Sequence, residues 1–173
     1  SKGRVRIDYS IASRSLIGFR TEFLTLTSGS GLMYHTFDTY RPVVEGLQTG
    51  RRNGALISIG QGKALPYALF NLQDRGKMII KNGVEVYEGM IIGIHSRNND
   101  LVVNPLKGKQ LTNVRASGND DAVLLTTPIN VTLEFALEFI NDDELIEVTP
   151  ISLRIRKKFL KEHERKKAAR AAS

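Results

Sequence analysis

Gly60-Gln61-Gly62-Lys63-Ala64 comes nearest, in this 173-residue chain, to a loop that could cradle phosphates. A triphosphatase loop needs G-x-x-x-x-G-K-[ST], in which backbone N–H groups and the Lys hold the phosphates and the hydroxyl ligates magnesium. Ala64 replaces that hydroxyl and Ile57 stands at the first glycine position, so the segment is not a P-loop and reads as a strand-to-helix turn. His95, Ser96 and Asp100 are the residue types of a nucleophilic triad. They crowd onto one strand and its turn, too close to converge as nucleophile, base and orienter. His35, His95 and His163 lie far apart without the H-x-x-x-H spacing of a metal site. Asp142-Asp143-Glu144 lacks the glycine and alternating ligands of a calcium loop and reads as a solvated turn. No catalytic, cofactor or metal residue is assigned in this chain.

Binding chemistry is better represented. Arg51-Arg52 precede Asn53-Gly54, Arg97 precedes two asparagines at a turn, and Lys107, Lys109, Gln110, Thr112, Asn113 and Arg115 populate one stretch between 104 and 121. Lys and Arg offer charge to phosphates, while Gln, Thr and Asn can hydrogen-bond phosphate, 2′-OH or base edges. The stretch holds three basic residues, no acid before Asp120, and neither helical nor strand periodicity. Structureless loops of that length inside a compact domain are usually functional or mobile. Each shorter cluster alone reads equally as an ordinary polar turn.

Charge is distributed in the same sense. Residues 1–60 hold 8 Lys/Arg against 4 Asp/Glu, residues 61–150 hold 8 against 12, and residues 151–173 hold 9 against 2. Basic ends around an acidic middle favour a local polyanion-binding surface such as one for RNA. The chain has no Cys, which excludes disulfides and thiolate–zinc sites. No apolar run approaches the ~20 residues that span a membrane. Lacking Met at position 1 and starting almost at once on a strand pattern, the chain is read as a piece excised from a longer protein.

The elements that must position these residues follow from periodicity. Val5, Ile7, Tyr9 and Ile11 alternate with polar residues as in a half-buried strand, and Leu32, Tyr34 and Phe37 resume that pattern. Between them, Leu16, Phe19, Phe23 and Leu26 mark a helix over 14–27, stopped by Ser28-Gly29. Residues 41–54 form a boundary. Beyond it come a strand at 55–59, a helix on Leu65, Ala68, Leu69 and Leu72 that ends at Gly76, and a strand at 78–80. An Asn82-Gly83 turn follows. A strand over 84–94 is broken near Gly89 or Gly93, and further strands are expected at 101–103, 123–125, 145–148 and 153–155. Thr132 is the expected N-cap of a helix whose stripe is Leu133, Ala136, Leu137 and Ile140. The chain closes on a charged helix with a Glu162–Lys166 pair. The fold class is α+β: a strand–helix–strand unit over 1–44, either a right-handed crossover or half of a split βαβ (partial ferredoxin-like) layer, a linker over 45–54, and a mixed sheet-and-helix domain over 55–173.

Several long segments carry a resemblance. RRNGALIS (51–58), VYEGMIIGIHSRNNDLVVN (86–104), KQLTNVRASG (109–118) and TLEFALEFINDDELIEVTP (132–150) resemble the C-terminal region of the TypA/BipA family of translational GTPases. RVRIDYSIASRSLIGFRTEFL (4–24) is similar to the second half of the domain that family shares with elongation factor G, its domain V. The resemblance implies a cytoplasmic, monomeric partner of the ribosome that acts in translation under stress and in large-subunit assembly. It implies a long loop, here about residues 107–120, directed at rRNA and A-site tRNA. Lys107, Lys109, Gln110, Thr112, Asn113 and Arg115 are then the foremost RNA-binding candidates, with Arg51, Arg52 and Arg97 beside them. GTP and magnesium would belong to a G domain outside this sequence, and this chain would itself hydrolyse nothing. The alternative is a docking or assembly module that binds ribosomal proteins instead of RNA.

Overall fold

A computed structural model describes residue 3 and residues 5–16, 19–42, 51–108 and 124–172. The chain divides into two compact units, Ser1–Gly50 and Arg51–Ser173. It is an α+β protein with a mixed sheet and few helices.

In the first unit a 3-10 turn, Ser13–Leu16, leads into helix α1, Phe19–Leu26. The expected stop is built as a left-handed turn: Ser28 has φ 50° and Gly29 φ 78°, and the Gly29 N–H donates to the Leu24 carbonyl at 2.7 Å. The strands expected at 5–11 and 32–37 are not formed as ladders. Among the described residues the two segments meet through Ser10 Oγ, which donates to Asp38 Oδ2 at 3.2 Å. Their alternating apolar side chains, Val5, Ile7, Tyr9, Leu32, Tyr34 and Phe37, are all exposed. A ladder on its own is marginal unless one face is covered, and the face that carries these apolar side chains is left exposed here.

The second unit is built around sheet order β6-β1-β5-β8-β7, with β3 also paired to β5. The strands are β1 Ala55–Ser58, β3 Gly76–Met78, β5 Met90–His95, β6 Leu101–Val103, β7 Glu144–Val148 and β8 Leu153–Lys157. A two-stranded ribbon, β2 Gly62–Lys63 with β4 Glu85–Val86, accompanies it. β1 lies between β5 and β6 and is buried along its whole length, which explains why Ala55, Leu56 and Ile57 follow one another without polar alternation. Leu56, Ile57, Ile91 and Ile92 form the centre of the core, each worth about 1.5–3 kcal/mol of burial. Gly89, with φ 84°, breaks the long strand, not Gly93, which continues within β5.

Three expectations shift in detail. Helix α2, Pro66–Gln73, buries Ala68, Leu69 and Leu72 as anticipated, but it ends before Gly76. That glycine begins β3, where a Cβ would stand 1.9 Å from the Ile94 carbonyl oxygen, so the pairing strand requires it. The strand expected at 123–125 is absent at Leu124 and Leu125. Immediately after, Gln73 Oε1 accepts from the Thr126 backbone N–H and hydroxyl, replacing ladder partners with a side chain. Thr132 caps helix α3, Leu133–Phe139, accepting from the Phe135 N–H at 3.2 Å. The helix is rotated from its expected phase: Ala136 and Phe139 are buried, while Leu133 and Leu137 are exposed. Phe135 stacks on Phe139 with centroids 5.5 Å apart, and two rings bury more area than the leucines would. Helix α4, Glu162–Ala172, carries the expected Glu162–Lys166 pair at 2.6 Å.

Candidate nucleic-acid interface

The candidate cations separate into exposed ones and one that is built into the fold. Arg52 follows directly on Arg51 at the foot of β1 and is exposed. Arg97, also exposed, leaves β5 at the same end, and its carbonyl accepts from the Gly54 N–H at 2.7 Å. The antiparallel β1–β5 register brings these two arginines to one end of the sheet. Lys107 is exposed beyond the far end of β6, and because β6 runs parallel to β1 it lies at the opposite end. The chain leading to Lys107 is pinned: Leu65 N–H donates to the Pro105 carbonyl and Leu106 N–H to Asn104 Oδ1, both at 2.9 Å. Lys109, Gln110, Thr112, Asn113 and Arg115 lie outside the described residues.

Arg51 is the correction. Its side chain is only 8% exposed, and all five of its N–H donors are engaged. Nε donates to the Asn53 carbonyl at 2.5 Å. Nη1 donates to the Phe139 carbonyl at 3.0 Å and Glu144 Oε2 at 2.6 Å, and Nη2 to Glu144 Oε1 at 2.7 Å and Asp100 Oδ1 at 3.4 Å. The guanidinium also lies 4.1 Å from the Phe139 ring centroid. Such a group has nothing left to offer a phosphate.

Periodicity missed the cluster this arginine belongs to. Asp143 and Glu144, read as a solvated turn, join Asp100 around Lys157, whose side chain is 2% exposed. Lys157 Nζ meets Asp100 Oδ2 at 2.6 Å, Asp143 Oδ2 at 2.8 Å and Glu144 Oε1 at 2.8 Å, so its three donors are all used. Glu144 is fully buried and accepts additionally from the Asn141 N–H at 3.1 Å. The one signal in the sequence is Lys157 itself, which stands on the inward phase of β8 with Leu153 and Ile155, where a cation must be paired. Three carboxylates converge here, but an ammonium fills the place a metal would take. Among the described residues no group of three or more His, Asp or Glu side chains is arranged to hold a metal ion. His95 is equally structural: it is buried, and its Nδ1 lies 2.6 Å from the Asn99 carbonyl, which sets it as the protonated nitrogen. Asp100 meanwhile accepts from the Ala55 N–H at 2.7 Å, which leaves no triad.

The cluster makes stability depend on pH. Burial pushes the Asp100 carboxyl up, but hydrogen bonds from Lys157 and the Ala55 N–H, with the charges of Lys157 and Arg51, hold it below the usual carboxylate range. Burial pulls Lys157 down, and its hydrogen bonds to Asp100, Asp143 and Glu144 outweigh that and raise it. A depressed carboxyl contributes stability that is present above its unfolded value, about 3.9, and is lost as pH falls through the folded one. The raised lysine contributes below about 10.4 and loses its contribution as pH climbs through its folded value. The urea midpoint should therefore be flat near neutrality and fall as pH drops below about 4. In Asp100→Asn the acid limb should be shallower, and an unchanged limb would remove Asp100 from the cause.

Comparison with known proteins follows the division of the fold. Residues 53–162 match the TypA/BipA C-terminal domain, and residues 1–50 match the elongation factor G C-terminus. The large ribosomal subunit assembly factor BipA of Escherichia coli K12 is 65% identical over 170 residues, covering 98% of this chain and 28% of that protein. The protein of the same name from Haemophilus influenzae Rd is 61% identical over 172 residues, covering 99% of this chain and 28% of its own length. That of Buchnera aphidicola is 61% identical over 163 residues, covering 94% and 27%. This chain thus spans little more than a quarter of the curated relatives it matches. With residues 53–162, more than half of this chain, matching the family's C-terminal domain, the chain belongs to the TypA/BipA family.

Proposed function

We propose that this chain is the ribosome-docking region of a translational GTPase, and that it grips RNA through the basic segment beginning at Lys107. The observation that carries the reading is Lys107 itself: an exposed cation at the open end of a hydrogen-bonded root, opening a stretch with Lys109 and Arg115 and no acid before Asp120. The relatives' name, large ribosomal subunit assembly factor, supports a ribosomal partner. In this reading Gln110, Thr112 and Asn113 approach base edges or 2′-OH groups of rRNA and A-site tRNA. Arg52 and Arg97 form a second, smaller contact at the other end of the sheet, and Arg51 is left out. The parent acts in the cytoplasm, in subunit assembly and in translation under stress. GTP and magnesium bind its G domain, and this chain serves as a monomeric docking module that hydrolyses nothing.

The test is Lys107→Ala/Lys109→Ala/Arg115→Ala, with ribosome binding measured across a salt series. In this reading the three charges are spent on RNA and not on the fold, so the melting temperature should hold. Affinity should fall and its logarithmic salt dependence flatten by up to about three phosphate contacts, ~0.7–0.9 each. Unchanged melting together with unchanged affinity would remove the segment from the interface. Binding that is tight yet insensitive to salt would favour ribosomal proteins as the partner instead.

A further inference from the structure

The C-terminal helix α4 divides its residues between two faces. Glu164, Arg165 and Ala168 are half-buried on one side. Arg165 is a clamp and not a free cation: its Nη1 donates to the Phe159 and Leu160 carbonyls and ties the helix to its own base. That base is fixed in turn, because a Cβ on Gly89 would stand 2.7 Å from the Leu160 Cα and carbonyl oxygen. His163, Lys166, Lys167 and Arg170 occupy the opposite side and are exposed. At 100° per residue, positions 163, 166, 167 and 170 fall on one stripe. Glu162 is committed to Lys166 along the helix, while among the described residues Lys167 and Arg170 meet no carboxylate. Alanines at 169 and 171 flank the stripe, which lets a bulky partner approach the helix closely.

We infer that this stripe is a further RNA contact, one that holds the phosphate backbone without regard to sequence; it rests on the RNA-docking reading above. Its Lys and Arg side chains neutralise phosphates, and the deep, narrow major groove of an A-form RNA stem keeps them from the base edges. The segment from Lys107 to Arg115 differs in mixing cations with Gln, Thr and Asn. A membrane surface is a poorer match, since interfacial helices oppose their basic face with large apolar side chains, and α4 has none.

The test uses the full chain and two RNA hairpins of equal stem length and unrelated sequence, read by fluorescence anisotropy from 50 to 300 mM salt. Lys167→Ala/Arg170→Ala should flatten the logarithmic salt dependence by between one and two on both hairpins equally, at ~0.7–0.9 per contact. Glu162→Gln, which releases Lys166, should move affinity the other way and tighten binding. Alanine is the best helix former, so the variant helix should persist, and circular dichroism checks this. Lys167→Arg should bind as the parent does. An unchanged slope, a loss confined to one hairpin, or no gain in Glu162→Gln would overturn the inference. The segment variant Lys107→Ala/Lys109→Ala/Arg115→Ala, run in parallel, separates the two ideas. A response there with none from the helix rejects only the helix, and the reverse rejects only the segment.

Discussion

Glu144→Ala is expected to destabilise the second unit by about 3–5 kcal/mol, the cost of breaking a buried ion pair from one side. Glu144 accepts from Arg51 twice, from Lys157 and from the Asn141 N–H. Its removal leaves Arg51 with a single carboxylate contact, the 3.4 Å one to Asp100, and takes one of three carboxylates from Lys157, two cations whose side chains are 8% and 2% exposed. Domain stabilities run to only about 5–15 kcal/mol, so this one change should consume a large part of the total. Urea denaturation of parent and variant measures it. Arg51→Met/Glu144→Leu should recover part of the loss, because replacing both partners by apolar groups avoids the uncompensated charge. A loss below about 1 kcal/mol in Glu144→Ala would show that water reaches the cluster and screens it. Function should follow stability alone: below its unfolding transition, Arg51→Ala should bind ribosomes as tightly as the parent, since its donors face inward.

Gly54→Ala is the second large expected effect. A Cβ there would stand 2.0 Å from the Asn99 carbonyl oxygen and 2.2 Å from its carbon, both backbone atoms with no rotamer to escape into. Overpacking of this kind costs about 1–3 kcal/mol. The displaced Asn99 carbonyl is also the acceptor of the buried His95 ring, and an orphaned buried donor costs about 1–3 kcal/mol more. The next residue, Asp100, holds the Ala55 N–H and Lys157, so the damage should spread into the charge cluster. Thermal melting should fall well below that of the parent, and the His95 ring nitrogen resonances should shift. Unchanged melting would mean that the Asn98–Asp100 turn moves freely, against its hydrogen bonds.

Both effects rest on contacts between residues far apart in sequence, and that divides what could be read in advance from what could not. Local chemistry was legible. The 3.6-residue spacing of Ala68, Leu69 and Leu72 placed α2, Thr132 capped α3, and Ser28-Gly29 stopped α1. Glu162 found Lys166 one turn away. Each of these outcomes is decided within about four residues, by backbone geometry or by neighbours on one helix face. The sequence offers binding candidates only as residue types, of which Lys107, Arg52 and Arg97 are exposed. Tertiary structure alone decided the rest. Arg51 and Glu144 are 93 residues apart, and no local pattern could say that one arginine of the Arg51-Arg52 pair would turn inward while its neighbour faced solvent. The phase of α3 was set by which rings the core could enclose, since Leu133 and Phe135 offer competing apolar faces on the same short helix. Periodicity assigned strands to the first unit, but a ladder needs a paired edge and a covered face, and among the described residues neither segment finds them. Amphipathic spacing determines what a segment can become, whereas burial and pairing depend on what the rest of the chain brings to meet it.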